Sequence, residues 1–131
     1  SVQYEMPIND KLFITQSEII KGLADKSSCV IVGRCADYVL RDSAQKCLHL
    51  FIYADLEKRI ERISRKYDLS PEKAKDKINK IQKSRKAYYN YYSNREWGNV
   101  SNYDLCVNTG VLGLEKSAEL IESFIKLSGE E

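Results

Sequence analysis

Three short apolar runs, at residues 29–32, 47–53 and 103–107, are separated by stretches far longer than a hairpin turn. Strands that cannot be joined by tight turns pair in parallel through helical crossovers, so the chain reads as an α/β layered fold. The first run, Cys29-Val30-Ile31-Val32, is continuously apolar and ends at Gly33, which predicts a strand buried on both faces. The intervening segments carry helical periodicity. Leu12, Gln16, Ile19 and Leu23 predict a helix over 9–26, with Asn9 or Asp10 as its cap. A further turn or two runs to Leu40. Asp55 opens a helix with Leu56, Ile60, Ile63 and Tyr67 on one stripe. Ser70-Pro71-Glu72 is a helix start with a capping hydroxyl, a first-position proline and an acid in the first turn, and the helix runs to about Tyr92. A last helix uses Leu114, Ala118, Ile121 and Ile125 as its inner stripe and ends near Gly129.

At 131 residues the chain suits one domain, and no repeat, linker or low-complexity tract divides it. Its net charge of +2 argues against a protein that coats nucleic acid. No apolar run nears the ~20 residues of a membrane span. The opening Ser1-Val2-Gln3-Tyr4-Glu5 lacks the pattern of a signal peptide. Cys29, Cys35, Cys47 and Cys106 form no C-x-x-C pair, and His49 is the sole histidine, so no metal ligand set is expected. Cys29 and Cys106 are expected as small buried residues of a cytoplasmic protein. His49 is expected to pack at a strand rather than to catalyse.

Ligands of α/β sheets bind beyond the carboxyl ends of the strands. Gly33 permits a sharp turn there and lets Arg34 project to grip a phosphate or carboxylate with paired hydrogen bonds. A structural pair between Arg34 and Asp37 is the alternative. Arg59, Arg62 and Lys66 line one flank of their helix, either as a phosphate-gripping rim or as a solvated face with Glu57, Glu61 and Arg65 pairs. The long helix places Arg85 on its inner stripe with Ala74, Ile78, Ile81, Tyr88 and Tyr92. A desolvated guanidinium needs an anion, so Arg85 meets a ligand or a buried carboxylate such as Asp37 or Asp104. Tyr88, Tyr89, Tyr91 and Tyr92 offer stacking faces and hydroxyls beside it. No phosphate-cradling G-x-x-x-x-G-K-[ST] and no credible Ser–His–Asp set is present.

Five segments in order carry a resemblance. They are Cys29-Val30-Ile31-Val32-Gly33-Arg34-Cys35-Ala36-Asp37-Tyr38-Val39-Leu40, Phe51-Ile52-Tyr53-Ala54-Asp55-Leu56-Glu57-Lys58-Arg59-Ile60, Arg85-Lys86-Ala87-Tyr88-Tyr89-Asn90-Tyr91-Tyr92, Trp97-Gly98, and Tyr103-Asp104-Leu105-Cys106-Val107-Asn108-Thr109-Gly110. Together they resemble the cytidylate kinase-like family of P-loop proteins, over about 11–127. The resemblance implies a three-layer nucleoside monophosphate kinase fold: a parallel sheet, flanking helices and a helical lid at about 59–95. It implies transfer of the γ-phosphoryl of ATP, with Mg²⁺, to CMP or a similar nucleoside monophosphate. By position, Arg34 and Asp37 resemble acceptor contacts, with Tyr88 and Tyr89 beside them. Arg59 and Arg62 resemble arginines at the start of the lid, Arg85 the lid arginine that reaches the phosphates, and Asn108-Thr109-Gly110 the turn near the adenine.

Two departures stand out. The related kinases carry an Asp four residues after the lid arginine, where this chain has Tyr89. Family members also open with a strand and a Gly-rich phosphate loop that these 131 residues lack. The expectation is therefore residues 1–131 as the carboxyl-terminal two-thirds of one kinase domain, inactive alone, with unpaired edges at 29–32 and 48–53. A complementing N-terminal segment or a homo-oligomer is the expected protein partner. Two alternatives stand beside it: a non-catalytic relative that binds nucleotide or protein, and a surface of arginines and tyrosines for single-stranded nucleic acid.

Overall fold

The computed structural model describes residues 6–129; the first five residues, weighed above as a leader, lie outside them. Helix α1 spans Ile8–Lys26. Neither Asn9 nor Asp10 caps it, because the helix begins one residue earlier at Ile8, with Pro7 in the cap position and Asp10 inside the first turn. The short α2 covers Ala36–Val39. Strand β1 is Leu50–Tyr53 and β2 is Leu105–Asn108, paired in parallel with Leu50 opposite Leu105 and Tyr53 opposite Asn108. Between them lie α3, Leu56–Tyr67, and α4, Pro71–Ser93. Helix α5, Thr109–Leu127, follows β2 directly. No helix among the described residues is long and apolar enough to cross a membrane.

The α/β class and the parallel pairing agree with the periodicity, but the described residues hold two paired strands, not three. Residues 29–32 are extended without a ladder partner. Val30 is 93% exposed and Val32 86%, and Cys29 is exposed rather than buried. The reason is physical: an apolar run becomes a buried strand only when a neighbour supplies hydrogen bonds and covers its faces. Only Ile31 turns inward, onto a core of Ile20, Val39 and Leu40 that also receives Phe13, Ala24 and Cys47. β1 likewise pairs on one side alone, as the expectation of unpaired edges requires.

The start of α4 follows its sequence. Ser70 Oγ accepts the Lys73 N–H at 3.2 Å, and Pro71 takes the first helical position. Asp68, at φ 53°, reverses the chain so that α3 and α4 pack as a helical hairpin with Ala74 and Ile78 buried between them. Beyond that hairpin, α4 is tied to α1. The ring of Tyr92 stacks on Phe13 at 4.3 Å, and its hydroxyl donates to Asp10 Oδ1 at 2.8 Å. In α5 Ile121 and Ile125 of the expected stripe are half-buried, but Leu114 and Ala118 are exposed and Ser117 takes the buried position of the first turns. Gly113, at φ 78°, interrupts the helix and resets its phase.

Candidate functional site

The carboxyl ends of both strands meet at a turn built from Asn108, Thr109 and Gly110. Asn108 Oδ1 accepts the Gly110 N–H at 3.0 Å, which caps α5. Thr109 Oγ1 donates to the Tyr53 carbonyl at 3.3 Å and so ties the ends of β2 and β1 together. A Cβ at Gly110 would lie 3.1 Å from Asn108 Oδ1 and 3.3 Å from Lys58 Cγ. Glycine is what lets this turn close against α3.

Two pairings place the basic residues. Arg34, in a left-handed turn at φ 59°, lies near the Tyr88 hydroxyl, which donates to Gln16 Oε1 at 3.4 Å. Burial pushes that hydroxyl above its usual range, the nearby Cys35 thiol adds to the rise, and the Arg34 charge and hydrogen bond oppose it. Arg59 and Arg85 form the second pairing, across the α3–α4 hairpin. Partial burial lowers the Arg59 guanidinium first, and the like charge of Arg85 lowers it further. Arg85 itself is exposed and has no carboxylate within 4 Å among the described residues. The expectation of a buried Arg85 is thereby corrected. α3 covers the Ala74–Ile78 stretch, and by Arg85 that cover has ended. Arg62 is exposed on α3 and joins neither pairing. Arg65 makes the expected surface pair with Glu61, at 3.1 Å.

Asp37 is not paired with Arg34. Its Oδ2 accepts the Tyr89 hydroxyl at 2.7 Å. Tyr89 is buried, and burial first, then the Asp37 hydrogen bond and charge, push its hydroxyl far up. Tyr103 and Arg95 complete this cluster. The Arg41 and Arg95 guanidiniums lie over the Tyr38 ring, at 3.8 and 5.3 Å from its centroid. A polar cavity of about 340 Å³ opens here, lined by Asp37, Arg41, His49, Arg95, Tyr103 and Asp104. His49 and Asp104 precede β1 and β2, so the cavity lies at the amino ends of the strands, opposite the Asn108 turn. The His49 backbone N–H donates to Asp104 Oδ2 at 2.7 Å. Arg41 and Arg95 were not anticipated, because neither falls on a periodic stripe and their signal lies only in a ring between two loops.

Arg34, Arg59 and Arg85 are free of carboxylate partners among the described residues. Such guanidiniums fit phosphoryl oxygens. Among the described residues no three His, Cys, Asp or Glu side chains gather to hold a metal ion.

A family model described as the cytidylate kinase-like family matches residues 1–111. No curated protein matches the chain. Among solved structures, an uncharacterized protein from Eubacterium ventriosum ATCC 27560 superposes with a TM-score of 0.84 at 30% identity, over 92% of this chain and 68% of that one.

Proposed function

Because the chain belongs to the cytidylate kinase-like family, we propose that it forms the acceptor-binding and lid portion of a P-loop nucleoside monophosphate kinase. Its reaction is transfer of the γ-phosphoryl of ATP to CMP or a similar monophosphate. The observation that supports this reading is that Arg59 and Arg85, like charges near enough to act on each other across the α3–α4 hairpin, have no carboxylate within 4 Å among the described residues. Like charges repel unless an anion joins them, and a polyphosphate is such an anion. Arg62 approaches from the same helix as the lid closes.

Arg34 and Tyr88 hold the acceptor phosphate and sugar. Asp37 and Tyr89, bound to each other, fix α4 against α2 and so set where Tyr88 points. The Asn108-Thr109-Gly110 turn receives the adenine edge through backbone groups that no Cβ at Gly110 obstructs. Phosphoryl transfer asks the protein for positioning and charge neutralisation, which these groups supply on one side only. A backbone cradle for the β- and γ-phosphates has no counterpart in these 131 residues. The unpaired segment 29–32 and the free edge of β1 suit a further strand that carries the cradle.

Calorimetric titration with CMP, UMP, dCMP and AMP tests the reading. One of the pyrimidine monophosphates binds, and Arg34→Ala abolishes the binding; if none of the four binds, the reading fails. A second reading, nucleotide binding without transfer, draws on Tyr89, which replaces a family carboxylate and gives its hydroxyl to Asp37.

A further inference from the structure

Residues 56–93, which form the α3–α4 hairpin, hold twelve lysines and arginines against five aspartates and glutamates, a net of +7. The remainder of the chain holds nine against fourteen, a net of −5. The near-neutral total therefore conceals a basic arm on an acidic body. Isolated helices usually neutralise such rows with i,i+4 ion pairs. Here the described residues of the hairpin contain one, Arg65–Glu61. The other eleven cations have no carboxylate within 4 Å among the described residues.

Three arginines suffice for a nucleotide's phosphates, and the lysines lie elsewhere. Lys73, Lys75, Lys77, Lys80, Lys83 and Lys86 are all exposed on α4. At 1.5 Å per residue they extend over about 20 Å along the helix, the reach of several phosphates of an extended strand, with Lys73, Lys77 and Lys80 on one face and Lys75 and Lys86 on the opposite one. Near the tip, Tyr67 is 47% exposed, with Lys77 Nζ 4.1 Å and Lys66 Nζ 5.4 Å from its ring centroid. Cations tracking a backbone beside an aromatic ring are the elements of single-strand recognition. A membrane surface fits less well. An interfacial helix needs an apolar face, and the large exposed apolar residues of α4, Ile81 and Tyr91, lie ten positions apart.

We propose that the α3–α4 hairpin binds the phosphate backbone of single-stranded nucleic acid through the face that carries Lys73, Lys77 and Lys80. The inference does not depend on the kinase reading. The charge lies on the arm, so the whole-chain balance, which argued against nucleic acid, does not measure it.

The test is fluorescence anisotropy of the 131-residue protein with a labelled mixed-sequence single-stranded RNA of about 20 nucleotides, at salt from about 50 to 200 mM. Binding is expected at the low end. It should weaken linearly in log–log form, with a slope of about −0.7 per phosphate engaged. K73E/K77E/K80E should weaken it at least tenfold and flatten the slope, with circular dichroism unchanged. Lys73→Gln with Lys77→Gln should weaken it less, and Lys116→Gln, exposed on α5, not at all. The proposal is overturned if no binding occurs at about 50 mM salt, or if the triple variant binds as the parent does. Preferential sedimentation with phosphatidylserine vesicles, which strip the RNA from the protein, overturns it in favour of a membrane surface.

Discussion

The Tyr89 hydroxyl donates to Asp37 Oδ2 at 2.7 Å, and this bond joins the long helix α4 to α2, three residues after Arg34. It links residues 52 positions apart. Tyr89→Phe removes the donor and leaves a partly buried carboxylate unsatisfied. The expected cost is about 1–3 kcal/mol, read as a lower denaturation midpoint with an unchanged m-value. An unchanged midpoint would mean that the bond holds nothing together.

The tyrosines of this junction also set an alkaline limit. Burial, then hydrogen bonding to Asp10, pushes Tyr92 up to about 12, and burial with Asp37 pushes Tyr89 higher still. An unfolded tyrosine titrates near pH 10. Below that both states keep the proton and stability does not depend on it. Above it the unfolded chain releases protons that the folded chain retains, so stability falls as pH rises from about 10 onward. Burial raises the Cys35 thiol to about 11, so its contribution begins to fall nearer pH 9. Melting temperatures from pH 8 to 12 should trace this descent. Tyr89→Phe and Tyr92→Phe should each flatten its upper part.

Two glycines should respond oppositely to alanine. Gly22 lies within α1 and a Cβ there meets nothing within 4 Å, so Gly22→Ala should stabilise by about 0.5–1 kcal/mol. Gly110→Ala pushes a methyl against Asn108 Oδ1 and Lys58 and disturbs the α5 cap. It should destabilise by about 1 kcal/mol. Thermal melts of both variants decide the matter, and equal signs would contradict the turn geometry.

Ser64 Oγ, on the α3 face toward α4, is buried with no hydrogen-bond partner among the described residues. Ser64→Ala removes that unpaired hydroxyl and raises helix propensity. A gain of about 1 kcal/mol is expected in urea unfolding. A loss would show that the hydroxyl has a partner in solution.

What the sequence could reveal follows from the range of each interaction. Ser70-Pro71 marked the start of α4 because capping is settled within four residues. The apolar run at 29–32 misled, because pairing is non-local and no neighbouring strand meets Val30 or Val32. Helical period located Arg85 inward, yet a helix is buried only where another element covers it, and α3 covers the earlier turns. The buried positions of α4 are Ala74, Ile78, Tyr89 and Ser93, and Arg85 shares their face but stays exposed between the turns that α3 covers and those tied to α2. Periodicity likewise could not separate Tyr88, which faces Arg34, from Tyr89, which faces Asp37. The amino-end cavity at Arg41 and Arg95 was invisible, because loop residues carry no period.

Val30 and Val32 bear on how the sheet is completed. Both are almost wholly exposed, so V30T/V32T removes little folded-state burial and should shift stability by less than about 0.5 kcal/mol. An unpaired extended segment with apolar side chains is an edge prepared for another strand. The double variant should therefore reduce concentration-dependent association, followed by light scattering. Unchanged scattering would remove this edge as the place where a strand adds.

Arg59 and Arg85 supply the last prediction, which concerns the empty-site cost of holding like charges together. Burial and the Arg85 charge both lower the Arg59 guanidinium, so the pair opposes folding until an anion joins it. Removing one member relieves the repulsion. Arg85→Ala should leave the ligand-free protein as stable as the parent or slightly more so, since Arg85 is exposed and has no carboxylate partner among the described residues. Inorganic pyrophosphate should act in the opposite sense. At a hundred times its dissociation constant it should stabilise the parent by about 2.7 kcal/mol, and the variant by much less. Differential scanning fluorimetry with and without pyrophosphate measures both effects in one series. If Arg85→Ala destabilises the ligand-free protein, the arginine is structural. If pyrophosphate raises the melting temperature of parent and variant equally, the anion binds elsewhere.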